Sequence, residues 1–383
     1  MTSEERHEQQ YQRRKAARLQ KHKEKFSRAN VLEEVFNVNN LYHAYKMCKL
    51  GVGWKASTQK YKVNALYNVV KKKQQLVDRK KYDYTAFYEF DVRERGKDRH
   101  IRSVHITERV PQRCFCDETL VPVLSSHLIY DCGASLKNKG VDFALNRMST
   151  HLHRYYRDEG TNEGYILCFD FTGYFDNIDH EVAINGLIYR YLTNENLIEY
   201  VEKSIRSFGD RGLGLGSQTS QITAVAYPNK LDHFIKEKLK IKFYGRYMDD
   251  GYLLHRSKKY LQYCLSKIRE ICESLGIKLN EKKTVIKKIH KGFTFLKRKF
   301  SLTETGGVVK RLCRTSITRM RRKLRKFKEK LNAGIMTIED IKASFNSWLG
   351  YAKKTKSFKT KQSMGELFYK LFGIKLEVKA YVV

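Results

Sequence analysis

The stretch IKFYGRYMDDGYLLH, residues 241–255, consists of two runs of strand-forming residues joined by Met-Asp-Asp-Gly. An aspartate pair followed by glycine is common turn chemistry, so the pattern predicts a β-hairpin with Asp249 and Asp250 at its tip. Two adjacent carboxylates repel each other unless a cation neutralises them or one of them takes up a proton. Two interpretations are open at this point: a solvated turn and a cation-binding site.

The composition favours a polyanionic partner. The chain has 383 residues, with 76 Lys and Arg against 41 Asp and Glu, and a formal net charge of +35. A basic surplus of this size is typical of nucleic-acid-binding proteins, and an anionic membrane surface is the second candidate. No apolar run approaches the ~18 residues of a spanning helix, and the N-terminus MTSEERHEQQ has no signal-peptide core, so we expect a soluble, cytoplasmic protein with no membrane partner. The eight cysteines include no C-x-x-C pair, which favours free thiols over a metal site.

A second acidic position follows a buried strand. The segment GYILCFDFTGYFDNIDH, residues 164–180, opens with a short apolar run that ends in Asp170. If this strand and the hairpin are neighbours in one sheet, the carboxylates of Asp170, Asp249 and Asp250 converge. Such a cluster can hold two Mg²⁺ ions ~3.5–4 Å apart, the arrangement used for in-line phosphoryl transfer.

The segments around these acids predict further elements. The first 30 residues, with nine Lys/Arg against four Glu, predict a basic helix that is either a phosphate-contacting arm or a solvated helix. RGLGLGSQTSQITAVAY predicts a glycine-rich loop followed by a helix that continues past Pro228 through NKLDHFIKEKLK. FTFLKRKFSL and GVVKRLC together predict one hairpin.

The last seventy residues predict a basic helical lobe. In RTSITRMRRKLRKFKEKL, apolar residues recur at intervals of three and four, and nine Lys/Arg lie between 314 and 330. TIEDIKASFNSWLGYAKK predicts a second helix, with Thr337 and Asp340 placed for a capping box. A basic helical lobe after a mixed lobe is suited to holding a duplex backbone.

Taken in order, these segments resemble the motifs of bacterial reverse transcriptases, the group that includes group II intron, retron, diversity-generating retroelement and defence-associated enzymes. The resemblance spans residues 40–372 approximately. It rests on RHIRSVHITERVPQR and GASLKNKGVDFALNRM (fingers motifs), FDFTGYFDNIDH (motif A), GLGLGSQTSQ (motif B), YMDD (motif C), GIKLNEKKT (motif D) and GFTFLKRKF (primer grip).

The resemblance implies catalytic and metal-binding residues. Asp170, Asp249 and Asp250 would be the catalytic carboxylates and metal ligands, and Phe171 would add its backbone carbonyl. The expected cofactor is a pair of Mg²⁺ ions, for which Mn²⁺ can substitute.

The resemblance also implies contacts to the incoming nucleotide. Arg102, Arg109, Phe175, Gln221 and Lys283 occupy the matching positions. Phe175 would be an aromatic gate against the ribose 2′-hydroxyl, or alternatively a core residue. The two arginines would contact the triphosphate, or alternatively be solvated charges. Lys282 is an alternative to Lys283 for steering a phosphate or protonating pyrophosphate.

The nucleic-acid contacts implied by the resemblance lie in motif B, the primer grip and the basic lobe. The four basic residues of that lobe are called the thumb cations below. The expected contact residues are Gly216, Ser217, Phe295, Leu296 and the thumb cations Arg321, Arg322, Arg325 and Lys326.

We therefore expect an α+β protein with the right-hand polymerase fold: fingers, a palm made of an antiparallel sheet backed by helices, and a helical thumb. The expected boundaries are 1–75 for a basic helical N-terminal extension, 76–163 for fingers, 164–312 for palm and 313–383 for thumb. The expected reaction is RNA-templated DNA synthesis from deoxynucleoside triphosphates on a DNA or RNA primer. A cognate structured RNA and a separately encoded accessory protein are the further partners expected.

Two departures from the family pattern bear on the subtype. Gly214 stands where many relatives have proline, which should loosen the start of the motif B loop. LGSQTSQ resembles the motif B variant of diversity-generating retroelement enzymes, in which it accompanies error-prone copying of adenines. A retroelement of this type is the first interpretation; a phage-defence reverse transcriptase, a non-catalytic RNA-binding scaffold and a basic helical RNA-binding protein are the alternatives.

Overall fold

The structure, a computed structural model, describes residues 3–82, 87–94 and 97–375. Short π-helical turns at Gln74–Asp78, Cys116–Leu120, Ile184–Ile188 and Phe234–Lys238 extend the α-helices that precede them. The α-helices are α1 (Ser3–Arg28), α2 (Leu32–Val35), α3 (Val38–Cys48), α4 (Ala56–Val63), α5 (Ala65–Lys73), α6 (Ile106–Phe115), α7 (Val121–Ser125), α8 (Val141–Glu159), α9 (His180–Ala183), α10 (Tyr189–Tyr191), α11 (Glu195–Arg206), α12 (Gln218–Ala226), α13 (Asn229–His233), α14 (Lys258–Ser274), α15 (Arg314–Asn332), α16 (Ile338–Lys353) and α17 (Phe358–Phe372).

The described strands form three antiparallel sheets. The first is a hairpin of β1 and β2, the second has the order β4-β5-β3-β6, and the third has the order β7-β8-β9. The strands are β1 (Phe87–Glu94), β2 (Lys97–Val104), β3 (Tyr165–Asp170), β4 (Phe243–Tyr247), β5 (Asp250–His255), β6 (Val285–Lys288), β7 (Phe293–Phe295), β8 (Arg298–Leu302) and β9 (Val308–Leu312).

Helices cover both faces of the four-stranded sheet. Successive side chains of a strand point to opposite faces, so each strand contributes residues to two separate cores. Leu167 and Leu253 pack on the side of α14, in the larger core. Ile166 and Leu254 pack on the opposite side, in a second core with α8 and the β7-β8-β9 sheet. This antiparallel sheet backed by helices is the predicted palm, and with the helical C-terminal lobe it gives the α+β right-hand polymerase fold.

The fingers share the larger core with the segment before them. The Phe36 ring stacks on Phe115 with the centroids 6.2 Å apart and meets Tyr200 at 5.1 Å. Buried residues from Ala29 onward belong to that same core. The predicted domain boundaries remain predictions, but from residue 29 the N-terminal segment packs as part of the main body.

The C-terminal lobe has a core of its own, built by α15, α16 and α17. Met320, Leu324 and Phe327 of α15 are buried at the predicted helical spacing. The Thr337 side chain and the Asp340 side chain form the predicted capping box at the start of α16. Among the described residues, no helix combines the length and apolarity needed to cross a membrane.

Two local predictions are wrong. The helix after motif B does not run through Pro228: α12 ends at Ala226, and a turn precedes α13, since proline has no N–H to continue the hydrogen-bond ladder. The region 293–312 forms three strands rather than one hairpin. Leu296 and Lys297 both have left-handed φ (45° and 61°), which closes β7 on β8 with a two-residue turn that lacks the usual Asn-Gly signal.

Candidate active site

The palm sheet brings the predicted acids together. Asp170 ends β3 and Asp250 begins β5, and the two residues lie directly opposite each other in the antiparallel pairing. The Phe171 N–H donates to the carbonyl of Asp249 at 3.2 Å, which ties the end of β3 to the hairpin turn. The Phe171 ring is buried against Phe169, so the backbone that follows Asp170 is held in place. The register alone therefore places all three carboxylates at one end of the sheet.

The electrostatic environment of this cluster favours a cation. Burial, together with the negative charges of Asp249 and Asp170, raises the pKa of Asp250 above its ordinary value. Burial is also the main cause of the raised pKa of Asp249, with a further contribution from Asp170. A positive charge at the cluster would relieve this repulsion.

Lys283 supplies one such charge. Its Nζ lies 2.8 Å from Asp170 Oδ2, and this hydrogen bond is the main cause of the raised pKa of Lys283. Asn280 also donates to Asp170, through its backbone N–H to the carbonyl at 2.7 Å and through Nδ2 to Oδ2 at 3.3 Å. Of the two lysines that motif D offered, Lys283 is therefore the one beside the acids.

The donor set fits a hard divalent cation, since it consists of carboxylate oxygens at the end of a sheet where mutual repulsion is strong. As the side chains stand, however, no three acidic, histidine or cysteine side chains in residues 3–82, 87–94 and 97–375 are gathered closely enough to hold an ion. The ammonium of Lys283 occupies one oxygen of Asp170 instead. Residues Asp170, Asp249 and Asp250, with the Phe171 carbonyl, remain the predicted ligands.

A buried ion pair supports the turn that carries the acids, and sequence reasoning missed it. Arg246 and Asp232 are both 0% exposed, and Arg246 Nη2 lies 2.6 Å from Asp232 Oδ2. Arg246 Nη1 donates to the carbonyl of Met248 at 2.8 Å, and Met248 has a left-handed φ of 55°. Arg246 therefore holds the strained residue that immediately precedes Asp249. No sequence spacing links the two partners, which lie on β4 and α13.

The motif B loop contacts the β1-β2 hairpin, which we call the fingers hairpin. Gly216 has φ of 103°, and a Cβ there would lie 3.5 Å from the Ile101 side chain, so the hairpin approaches the loop backbone closely. Ser217 begins α12 by accepting the Ser220 N–H. Gln221 is exposed on the same helix.

Gly214 is required by close packing against Phe208, which lies between α11 and motif B. A Cβ at this position would lie 2.0 Å from the Phe208 ring, and that ring packs on Phe87 with the centroids 5.4 Å apart. The absence of a side chain at 214 therefore leaves room for the Phe208 ring, which joins the segment just before motif B to the fingers.

The two predicted triphosphate contacts are held by neighbouring protein groups. Arg102 Nε donates to Glu89 Oε1 at 2.8 Å, and its guanidinium lies 4.8 Å from the Phe87 ring centroid. Arg109 Nη2 donates to Ser103 Oγ at 2.8 Å. Both arginines thus have protein partners, and the structure shows neither of them beside the acidic cluster.

Phe175 lies between motifs A and B. Its ring is half-buried and meets Tyr174 edge-on at 5.9 Å, and its carbonyl accepts the Leu213 N–H at 2.8 Å. The position is compatible with core packing and with a wall beside the nucleotide, so both interpretations stay open.

The predicted nucleic-acid contacts of the primer grip and the thumb can be compared by how exposed their side chains are. Phe295 is buried, with its ring 4.9 Å from that of Tyr252 on the palm sheet, which leaves the half-buried Leu296 at the turn as the more accessible of the two. The thumb cations are all exposed, on the side of α15 away from its buried apolar residues.

Comparison with known proteins finds a family similarity in the central part of the chain. Residues 123–299 match the family model described as reverse transcriptase (RNA-dependent DNA polymerase). The matched segment contains Asp170, Asp249 and Asp250. The central segment is therefore similar to reverse transcriptases over somewhat less than half of the chain. No curated protein matches the chain in sequence.

Solved structures of Candida telomerases are similar to this chain at low identity. The apo telomerase of Candida tropicalis truncated from its C-terminal domain is 16% identical, with a TM-score of 0.46 over 60% of this chain and 55% of that one. The Candida albicans telomerase in complex with a TWJ fragment of telomeric RNA is 14% identical, with a TM-score of 0.47 over 82% and 65%. The apo telomerase of Candida tropicalis is 16% identical, with a TM-score of 0.45 over 75% and 59%. This chain thus spans 55–65% of the length of these proteins.

Proposed function

We propose that the protein is an RNA-directed DNA polymerase that extends a primer on an RNA template with deoxynucleoside triphosphates. The observation that carries this proposal is the strand register, which sets Asp170 of motif A directly opposite Asp250 of motif C. Three carboxylates that repel one another at the end of a sheet are unfavourable unless a cation binds them. A scaffold that only bound RNA would have no use for such a group. The match of residues 123–299 to the reverse transcriptase family supports the same conclusion.

Each group at the site has a role in this proposal. Asp170, Asp249 and Asp250, with the Phe171 carbonyl, would hold Mg²⁺. When bound, Mg²⁺ supplies charge stabilisation for the attacking 3′-oxygen and the reacting phosphate. The primer 3′-hydroxyl loses its proton to solvent, its oxygen forms a bond to the α-phosphorus, and the bond between that phosphorus and pyrophosphate breaks. Lys283, whose side chain is 59% exposed, can turn from Asp170 toward the departing phosphate and donate a proton to it.

The geometry of the turn would determine where the acids lie during this reaction. Arg246 fixes the Met248 carbonyl, and the Phe171 N–H fixes the Asp249 carbonyl. The backbone at Asp249 is therefore held by two hydrogen bonds, one to its own carbonyl and one to the carbonyl of Met248. Positioning groups of this kind reduces the rearrangement needed before phosphoryl transfer.

We further propose that the enzyme is of the diversity-generating retroelement type and works with a structured RNA and a separately encoded protein. The support is the LGSQTSQ form of motif B, in which Ser217 caps α12 and Gly216 lies against the fingers hairpin. A template repeat and a matching variable repeat near the gene would support this subtype, and adenine-specific errors in the cDNA would test it directly. Faithful copying of adenines would favour the phage-defence alternative.

The test of polymerase activity is primer extension by the full-length chain on a primed RNA template, with Mg²⁺ and with Mn²⁺. We expect the wild type to extend the primer and the double variant Asp249→Asn/Asp250→Asn to show no extension, because the cation-binding charge is removed. RNA binding, measured by filter retention, should remain close to wild type in the variant.

A matched control removes two carboxylates elsewhere. Asp78→Asn/Asp210→Asn changes two exposed aspartates and should leave extension intact. Extension by the Asp249/Asp250 variant at near wild-type rate would show that the site is wrongly assigned. Failure of the folded wild type with both metals would instead favour a non-catalytic RNA-binding scaffold.

A further inference from the structure

A strongly basic cavity lies in the C-terminal lobe, far along the chain from the acidic cluster. It has a volume of about 900 Å³ and opens where β9 and the segment after α16 meet the start of α17. No acidic side chain of the described residues lines it. We call it the α17 pocket. Its charged lining residues are Arg311, Lys353, Lys356, Lys359 and Lys361.

Lys361 is the unusual member of this set, because it is only 5% exposed although it lines the pocket. Its backbone N–H donates to the Ser357 carbonyl, whereas its ammonium group forms no hydrogen bond or ion pair with any described residue. The side chain is therefore largely enclosed by the protein, while its ammonium keeps some contact with solvent and has no counter-charge in the described part of the chain. An anion bound in the pocket would supply that counter-charge.

The start of α17 offers a second group of donors to the same pocket. Ser357 is the residue before the helix, but its hydroxyl accepts the Leu312 N–H at 3.2 Å and makes no capping bond to the helix. The first turn of this 15-residue helix therefore keeps N–H groups that no side chain caps. Uncapped N–H groups and the positive end of the helix dipole together favour an anion.

We propose that the α17 pocket binds phosphate groups of a nucleic-acid strand. Phosphate is the anion that suits five clustered cations and a helix N-terminus at once. The volume exceeds what one phosphate needs, which leaves room for the sugar–phosphate chain on either side. The site goes beyond the proposed polymerase function, since it requires none of the catalytic carboxylates and is separate from the thumb cations on α15.

The test measures binding of a fluorescent RNA–DNA duplex to the full-length chain over a range of salt concentrations, without nucleotides. The background is Asp249→Asn/Asp250→Asn, so the result does not depend on catalysis. Lys361→Gln should weaken binding about tenfold, the effect of removing one charge-assisted hydrogen bond. The slope of log affinity against log salt should also flatten by about 0.7–0.9 for each phosphate that is no longer neutralised.

Two further variants make the result interpretable. Lys359→Gln changes an exposed lining residue and should weaken binding to a similar degree even if Lys361→Gln impairs folding. Lys370→Gln, at the exposed far end of the same helix, should bind as the parent does. Equal affinity and slope for all three variants would overturn the proposal.

Competition with inorganic phosphate and tripolyphosphate separates the two sources of phosphate. A strand-binding site predicts that duplex affinity falls in Lys359→Gln and Lys361→Gln. If instead millimolar phosphate raises the melting temperature of the parent but not of Lys361→Gln, while duplex affinity is the same in both, the ligand is a free phosphate anion and the nucleic-acid assignment is wrong.

Discussion

Asp232→Asn is expected to destabilise the protein strongly, although the substitution is nearly isosteric and far from the surface. Asp232 accepts from Arg246 Nε at 2.8 Å and Nη2 at 2.6 Å, and from the Tyr244 hydroxyl at 2.5 Å. Because both ion-pair partners are 0% exposed, the variant leaves the Arg246 charge buried without compensation. Removing one partner of such a pair costs about 3–5 kcal/mol of unfolding free energy. That is a large part of the ~5–15 kcal/mol typical of a folded domain.

The measurement is urea-induced unfolding followed by far-UV circular dichroism. The matched control is Glu270→Gln, which breaks a surface ion pair with Lys267 and should leave the unfolding transition almost unchanged. If the two variants unfold at the same urea concentration, the buried pair does not stabilise the palm as argued.

Replacing both partners separates stability from positioning. Asp232→Leu/Arg246→Met removes the two charges together, and such replacements are often neutral or stabilising. We expect this variant to fold with nearly wild-type stability but to extend primers poorly, because nothing then holds the Met248 carbonyl. Wild-type extension by the folded double variant would show that Arg246 does not position the turn.

Two further predictions concern the sugar and the duplex. Phe175→Ala should raise ribonucleotide incorporation relative to deoxyribonucleotide incorporation in single-nucleotide extension, because a wall against the 2′-hydroxyl is removed; an unchanged ratio in a folded variant would leave Phe175 as a core residue. Changing all four thumb cations to Gln should weaken primer–template binding without altering template sequence preference, and flatten the salt dependence of log affinity by roughly three units. Extension at saturating primer–template should stay near wild type, and an unchanged salt slope in filter binding would mean that α15 does not hold the duplex through this face.

Local patterns in the sequence were sufficient to predict that the acids lie at strand ends, and to predict most of the helices and strands. Asp170 follows an apolar run of strand length, and Asp249 and Asp250 interrupt two such runs, so their positions at strand ends depend only on neighbouring residues. The apolar spacing of α15 and the capping box of α16 are likewise short-range features. Local patterns failed where turn chemistry was atypical, as at Leu296 and Lys297, which take left-handed φ without glycine or asparagine.

The sequence by itself determined which carboxylates could form a catalytic cluster, because strand periodicity and acid placement are written within a few residues of each other. Only the tertiary structure decided which cations face them. Lys282 and Lys283 are equivalent in the sequence, yet the fold places Lys283 on Asp170. The partnership of Arg246 with Asp232 and the burial of Lys361 are also set by packing between separate elements. The energies of buried charges depend on distances and burial in space, which chain spacing does not encode.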